Sequence, residues 1–212
     1  ESFSLLKTYQ KNCPPPVKLF PGLIPGYNDR GTRPSENHYV IPRRASASEK
    51  EGSTFELLLD EWIFPLLDPE NPVFLITSFN EWNEDTGIEP VTSCPATSRD
   101  IGTPEGFFSG GYAYEGFDRT YLELLRNKTI AVTGIVTNNG KPVSGIRITA
   151  CQNNKAVAAD FTDSRGRYLL SRLNLKEGEY SLQAADSKNS KIISISPETT
   201  AVFNWDLKKI DS

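Results

Sequence analysis

The sequence predicts an α/β portion followed by an antiparallel β-sandwich, and three observations lead there. In the first half, apolar runs without polar alternation flank a helical pattern, as in parallel sheets buried on both faces. Past Asn127 the texture changes to short β-rich runs separated by Gly, Asn, Asp and Pro turns, the signature of a sandwich. Both long loops of the first half follow a strand, which is the ligand-binding side of α/β folds. The change falls at 127–130 and gives domains of residues 1–128 and 129–212.

Residues 2–11 read as the end of a helix with Phe3, Leu6 and Gln10 on one side. Pro14-Pro15-Pro16 stops it, because proline lacks the N–H and clashes with the preceding turn. Residues 17–24 read as a strand interrupted at Pro21-Gly22. Residues 25–52, rich in Pro, Gly, Asn and Arg, read as a long loop, and such loops in compact domains are functional or disordered. The clearest helix covers 53–67. Ser53 or Thr54 caps it, Glu56 lies in its first turn, and Phe55, Leu58, Leu59, Trp62, Ile63 and Leu66 make one apolar face assigned to the core. Pro65 and Pro69 mark its exit. Pro72-Val73-Phe74-Leu75-Ile76 then opens a buried strand over 73–79. A second loop over 85–112 holds Gly102, Gly106, Gly110 and Gly111, and a final helix over 117–126 carries Tyr121, Leu124 and Leu125. Two strands cannot close a barrel.

Beyond the boundary, strands are expected at 130–136, 146–150, 156–162, 168–170, 180–185, 192–195 and 201–207, with a hairpin turn at Asn138-Asn139-Gly140.

A hydrophobic content of 37% suffices for a packed core. The net charge of -4 is small, and no basic stripe points to nucleic acid. No apolar run is long enough to span a membrane. The chain starts at Glu1 and contains no Met, so it reads as a processed product or a C-terminal fragment. Cys13, Cys94 and Cys151 lack CxxC spacing and suggest neither zinc nor a catalytic thiol. His38, the one histidine, cannot build a metal site alone. Asn127-Lys128-Thr129 is a glycosylation sequon.

The chemistry concentrates in residues 77–90, Thr-Ser-Phe-Asn-Glu-Trp-Asn-Glu-Asp-Thr-Gly-Ile-Glu-Pro. Glu81 and Glu84 stand three residues apart where the second strand ends. Glycosidic cleavage needs such a carboxyl pair, one acid and one base or nucleophile. Burial between Phe79 and Trp82 would raise the pKa of one of them. Ser78, Phe79, Asn80, Glu81, Trp82, Glu84, Thr86, Ile88 and Glu89 resemble the signature of family-99 glycoside hydrolases, the endo-α-mannosidases. Pro25-Gly26-Tyr27-Asn28-Asp29 with Arg33-Pro34 resembles a second stretch of that family. The resemblance covers residues 1–127 and implies the C-terminal part of a (β/α)8 barrel. It makes Glu81 the base assisting the substrate's own 2-hydroxyl and Glu84 the general acid/base of a retaining hydrolase. By their own chemistry Tyr27, Asp29, Arg33, Asn80, Trp82 and Glu89 are the substrate-binding candidates, Asp29 and Arg33 for sugar hydroxyls and Tyr27 and Trp82 for a pyranose face, with ordinary turn chemistry the alternative for Asp29 and bracing of the loop for Glu89. Asn83 and Asp85 depart from the His and Gly common in the family.

Residues 130–208 resemble the carboxypeptidase-regulatory-like, transthyretin-like sandwich through Val132-Thr133-Gly134-Ile135-Val136, Gly140-Lys141-Pro142-Val143, Asp163-Ser164-Arg165-Gly166-Arg167-Tyr168 and Gly178-Glu179-Tyr180. Asp163 and Gly166 are expected to make a tight turn, and Tyr168 and Tyr180 to pack inside.

The expected function is hydrolysis of glycosidic bonds in an oligo- or polysaccharide, with α-mannosides among the candidates. No metal or organic cofactor is implied. The expected partners are that saccharide and the missing N-terminal part of the barrel, with no nucleic acid and no membrane span. A secreted, cell-surface or secretory-lumen location is favoured. The alternatives are a transferase-type role in cell-surface polysaccharide biosynthesis and a non-catalytic structural or carbohydrate-binding surface protein.

Overall fold

The structure is a computed structural model. It describes residues 7–9, 11–12, 14, 17–30, 32–33, 39–68, 71–97, 114–185 and 190–207. Strands outnumber helices among them. The chain divides into two compact units, Glu1–Leu124 and Leu125–Ser212. The sequence places the change at 128/129. Of the first expected helix, 7–9 and 11–12 are helical. Phe3, Leu6, Gln10, Cys13, His38 and the four loop glycines at 102, 106, 110 and 111 lie outside the described residues.

In the first unit β1 (Gly22–Leu23) and β2 (Leu75–Ile76) pair in parallel, Gly22 opposite Leu75 and Leu23 opposite Ile76. A parallel pair requires a crossover, and the helical stretch between the strands supplies it. This stretch begins as α1 (Ser53–Leu58), widens to a π turn at Leu59–Ile63 and ends in a 3-10 turn at Phe64–Leu66. The spacing of its apolar residues accounts for the widening. Phe55, Leu59 and Ile63 are separated by four, which drifts about 40° per step around an α-helix. A wider turn brings Ile63 back under the other two. All three are buried, with Leu66, and each such side chain stabilises by about 1.5–3 kcal/mol. Leu58 and Trp62 are only half-buried, so the core face is narrower than the apolar spacing predicts.

Neither expected cap forms. The N-cap is Gly52 at φ 83, and no side chain caps the helix. The two hydroxyls tie down the preceding loop instead. Ser53 Oγ accepts from Ala45 N–H at 2.9 Å, and Thr54 Oγ1 donates to Pro42 O at 2.7 Å.

The strands correct the sequence expectation. Each holds two residues, far fewer than residues 17–24 and 73–79 allow. The run expected to be buried on both faces is open: Val73, Leu75 and Phe79 are exposed, as are Val17 and Phe20. Width explains this, since among the described residues β1 and β2 have only each other as partners. The described residues show no barrel portion.

The expected loop over 85–112 also needs correction. It contains β3 (Val91–Thr97), which pairs antiparallel with β4 (Tyr114–Asp118). Pro95 disguised it, because proline demotes a run that otherwise reads as a strand. Here it falls within a register shift between Cys94 and Thr97. The final helix, α2 (Thr120–Thr129), buries Tyr121 completely. Its ring meets Phe55 at 5.4 Å and Phe117 at 4.9 Å, both edge to face.

The second unit is a β-sandwich. One sheet has the order β11 (Ser190–Ile195), β10 (Gly178–Ala184), β7 (Arg147–Gln152), β8 (Lys155–Phe161). The other is built around β5 (Ile130–Asn138), which pairs with β6 (Lys141–Pro142), β9 (Arg167–Ser171), β12 (Ala201–Val202) and β13 (Trp205–Asp206). Alternate residues face inward, as the two-residue strand period requires. Val132 and Val136, Ile148 and Ala150, Tyr168 and Leu170, Tyr180 and Leu182, and Ile193 and Ile195 fill the core. Asn139 and Gly140, at φ 54 and 74, form the expected hairpin turn between β5 and β6. The Asp163–Gly166 turn forms too. Gly166 N–H donates to Asp163 O, and the Asp163 carboxylate accepts from the N–H groups of Arg165 and Arg167.

Candidate functional site

Because β1 and β2 run parallel, the loops that follow them leave the same end of the pair. These loops carry the two sequence motifs. The second loop folds on its own main chain: Ser78 N–H donates to Thr86 O at 2.9 Å, Thr86 N–H to Glu81 O at 3.1 Å, and Ile88 and Glu89 N–H both to Phe79 O at 2.9 and 2.8 Å. Thr86 and Ile88 are buried beneath it. Ser78 Oγ accepts the Glu81 N–H at 2.8 Å, and Glu81 Oε1 accepts the Asn83 N–H at 2.8 Å. The Thr77–Ser78 peptide that leads into this loop is cis.

The first loop is pinned by a bridge between Tyr27 and Ile41. It docks on the second through Asn28 N–H, which donates to Glu84 O at 2.9 Å. Side chains then join the two. Arg33 Nη1 donates to Asp29 Oδ2 at 2.9 Å and to Glu84 Oε1 at 2.8 Å. Tyr27 Oη donates to Asp29 Oδ2 at 3.0 Å. Asp29 is 4% exposed, so it is the fixed member. Arg33 is open to solvent, and its pairing with the two carboxylates raises its pKa further. The hydrogen bond to Asp29 raises the Tyr27 pKa and keeps its hydroxyl a donor.

Tyr27, Asp29, Arg33 and Glu84 therefore form one network across 50 or so residues of sequence. Glu81 lies on the same turn, with its carboxylate directed to Asn83. Asn80 and Trp82 are exposed, and Glu89 is tied in through its main chain. One expectation fails here: Phe79 and Trp82 are 54% and 49% exposed and do not enclose a carboxyl. Among the described residues β2 pairs with β1 alone, so no further strand of that sheet walls in the loop that follows it. A cavity of about 250 Å³ lies nearby, lined by Leu23, Leu58, Trp62, Ile63 and Thr77, and none of the predicted site residues faces it.

Sequence reasoning missed two residues. Thr32 Oγ1 lies 3.2 Å from Asp29 O and 3.3 Å from Asn83 O, a further stitch between the loops. Arg43 holds the second loop from beneath through Asp85 and Gly87. Nothing in the Pro42-Arg43-Arg44 run distinguishes a buried arginine from a solvated one. Among the described residues no group of three or more His, Cys, Asp or Glu side chains is placed to hold a metal ion, and no helix is long and apolar enough to cross a membrane.

No known family model and no curated protein matches this sequence. Among solved structures, the chain is similar to 5-hydroxyisourate hydrolase of Klebsiella pneumoniae at 20% identity and a TM-score of 0.27, over 36% of this chain and 84% of that one. It is also similar to the Bacillus anthracis TIE protein at 20% identity and a TM-score of 0.28, over 37% of this chain and 16% of that one. A 9R-lipoxygenase from Cyanothece follows at 12% identity and a TM-score of 0.24, again over 37% of this chain and 16% of that one. Likenesses of this size carry no argument about function.

Proposed function

We propose that the first unit contributes the acidic end of a carbohydrate-cleaving site, with Glu84 as general acid/base and Glu81 as base. One observation carries this reading: Arg33 bridges Asp29 and Glu84 between the two loops that follow the parallel strands. The hydroxyl oxygen of Tyr27 and the exposed amide of Asn80 offer sugar hydroxyls both donors and acceptors, and buried Asp29 holds Tyr27 and Arg33 in place. The half-exposed faces of Trp82 and Phe79 offer a surface for a pyranose ring. The reaction is hydrolysis of a glycosidic bond with retention, and α-mannosides are the first substrates to try.

On this reading the first unit is part of a family-99-like (β/α)8 barrel. The exposed apolar residues Val17, Phe20, Val73 and Leu75 then pack against barrel strands contributed by preceding polypeptide. The second unit is a carboxypeptidase-regulatory-like accessory sandwich.

The test is an NMR titration of the chain with neutral oligosaccharides, α-mannobiose first. The expected result is shift changes confined to amides of residues 27–33 and 79–89, abolished in Asp29→Asn. Binding that maps only to the sandwich, or no binding to any glycan, sinks the proposal.

A further inference from the structure

We propose that Arg43 is the positioning residue of the Glu81–Glu84 turn, fixing the acidic pair in register with Asp29 and Arg33. This rests on the carbohydrate reading above for its consequence, but not for its geometry. The guanidinium joins three segments of the first unit. Its Nε donates to Asp85 Oδ1 at 2.9 Å, and Nη2 donates to Asp85 O at 3.0 Å and Gly87 O at 2.8 Å. The same group lies over the rings of Phe117 and Tyr121, 4.7 and 4.9 Å from their centroids. Nη1 is buried with no hydrogen-bond acceptor among the described residues, so the aromatic faces are its environment. The side chain is 10% exposed.

The first motif makes room for this arginine. A Cβ on Gly26 would come within 2.6 Å of Arg43 Cγ and 3.1 Å of Ile41 O. The absence of a side chain at Gly26 therefore leaves the space that the Arg43 stem occupies. The second motif supplies its acceptors. Asp85 sits at φ 53, in the left-handed region that Asp and Asn tolerate better than other side chains. Burial pushes the Asp85 carboxyl up while Arg43 pulls it down. Burial likewise opposes the Arg43 charge, but Asp85 and Tyr121 outweigh it and leave the arginine more firmly protonated than usual.

The coupling to the acidic pair runs through the main chain. Glu84 immediately precedes Asp85, and its carbonyl accepts Asn28 N–H while its carboxylate accepts Arg33. A rigid Asp85–Gly87 segment leaves Glu84 one docking position. Lysine at 43 could pair with Asp85 as a point charge, but it cannot span three acceptors in a plane.

Amide hydrogen exchange of the whole chain tests this in Arg43→Met, Arg43→Lys and Asp85→Gly. The expected result is at least a tenfold rise in exchange at residues 82–88 in Arg43→Met, no rescue by Arg43→Lys, and a smaller rise in Asp85→Gly, which keeps two of the three hydrogen bonds. Exchange at 55–63 and in β5 and β10 stays at the wild-type level, which separates positioning of one turn from general loss of packing. Unchanged exchange at 82–88 in Arg43→Met, or full protection in Arg43→Lys, overturns the proposal. If Arg43→Met unfolds the first unit, the other two variants decide. In the same variants, affinity for α-mannobiose falls about tenfold without any change to Glu81 or Glu84. If the wild-type chain binds no glycan, the carbohydrate reading fails while the exchange data still judge Arg43.

Discussion

At the scale of single residues the site depends on one buried carboxylate and one exposed cation. Asp29 cannot move, and Arg33 can reach Glu84 because Asp29 and Tyr27 hold the base of the arrangement. Arg33→Met removes the guanidinium that links Asp29 to Glu84. Glycan affinity is expected to fall at least tenfold, measured by fluorescence of Trp82 in a chain with Trp62 and Trp205 replaced by Phe. Arg33→Lys is expected to recover little, since a single ammonium does not reproduce the guanidinium's fixed geometry. Tyr27, Asp29, Arg33 and Glu84 were legible in the sequence because each falls in a motif whose order follows the chain. Arg43 was not legible, because burial of an arginine depends on the partners that tertiary structure brings. The enclosure of a carboxyl expected between Phe79 and Trp82 does not form, because their exposure is set by what packs above them.

At the scale of elements, the sandwich strands announce themselves through strict alternation, and the turns through Asn139-Gly140 and Asp163–Gly166. β1 and β2 are shorter than their apolar runs, because a ladder extends only as far as its partner. Within the sandwich, a Cβ at Gly134 would overlap Phe203 O, and Tyr168 Oη donates to that same carbonyl at 2.7 Å. Gly134→Ala is expected to destabilise the second unit by about 3 kcal/mol, measured by urea denaturation. The β8–β9 turn adds a pH dependence. The Arg167 N–H, with the Arg167 guanidinium and the Arg165 N–H, holds the Asp163 carboxyl below its usual range. A carboxyl lowered by folding stabilises above its unfolded pKa of about 3.9 and stops doing so as pH falls through its folded value. Asp163→Asn is therefore expected to melt below wild type at pH 7, and the gap in Tm to close under acid. A gap that persists at the lowest pH at which the unit stays folded contradicts this assignment.

At the scale of the molecule, the chain holds two compact units, and the second has its own hydrophobic core. Calorimetry is expected to show two transitions, with Gly134→Ala lowering one and Leu59→Ala, which empties a fully buried site, the other. A single transition moved by both variants would contradict independent units. The sequence showed the change of texture but not how little sheet the first unit has, since strand count depends on pairing that no local pattern records. The proposed cleavage of glycosidic bonds by Glu81 and Glu84 stands or falls on a single assay. Release of reducing sugar from a panel of glycans headed by α-mannosides is followed for polypeptide containing this chain, beside Glu81→Gln and Glu84→Gln. Hydrolysis that drops at least about a hundredfold in each variant is the expected result. Hydrolysis at the wild-type rate in both variants, or none by the folded wild type on any glycan, contradicts the claim.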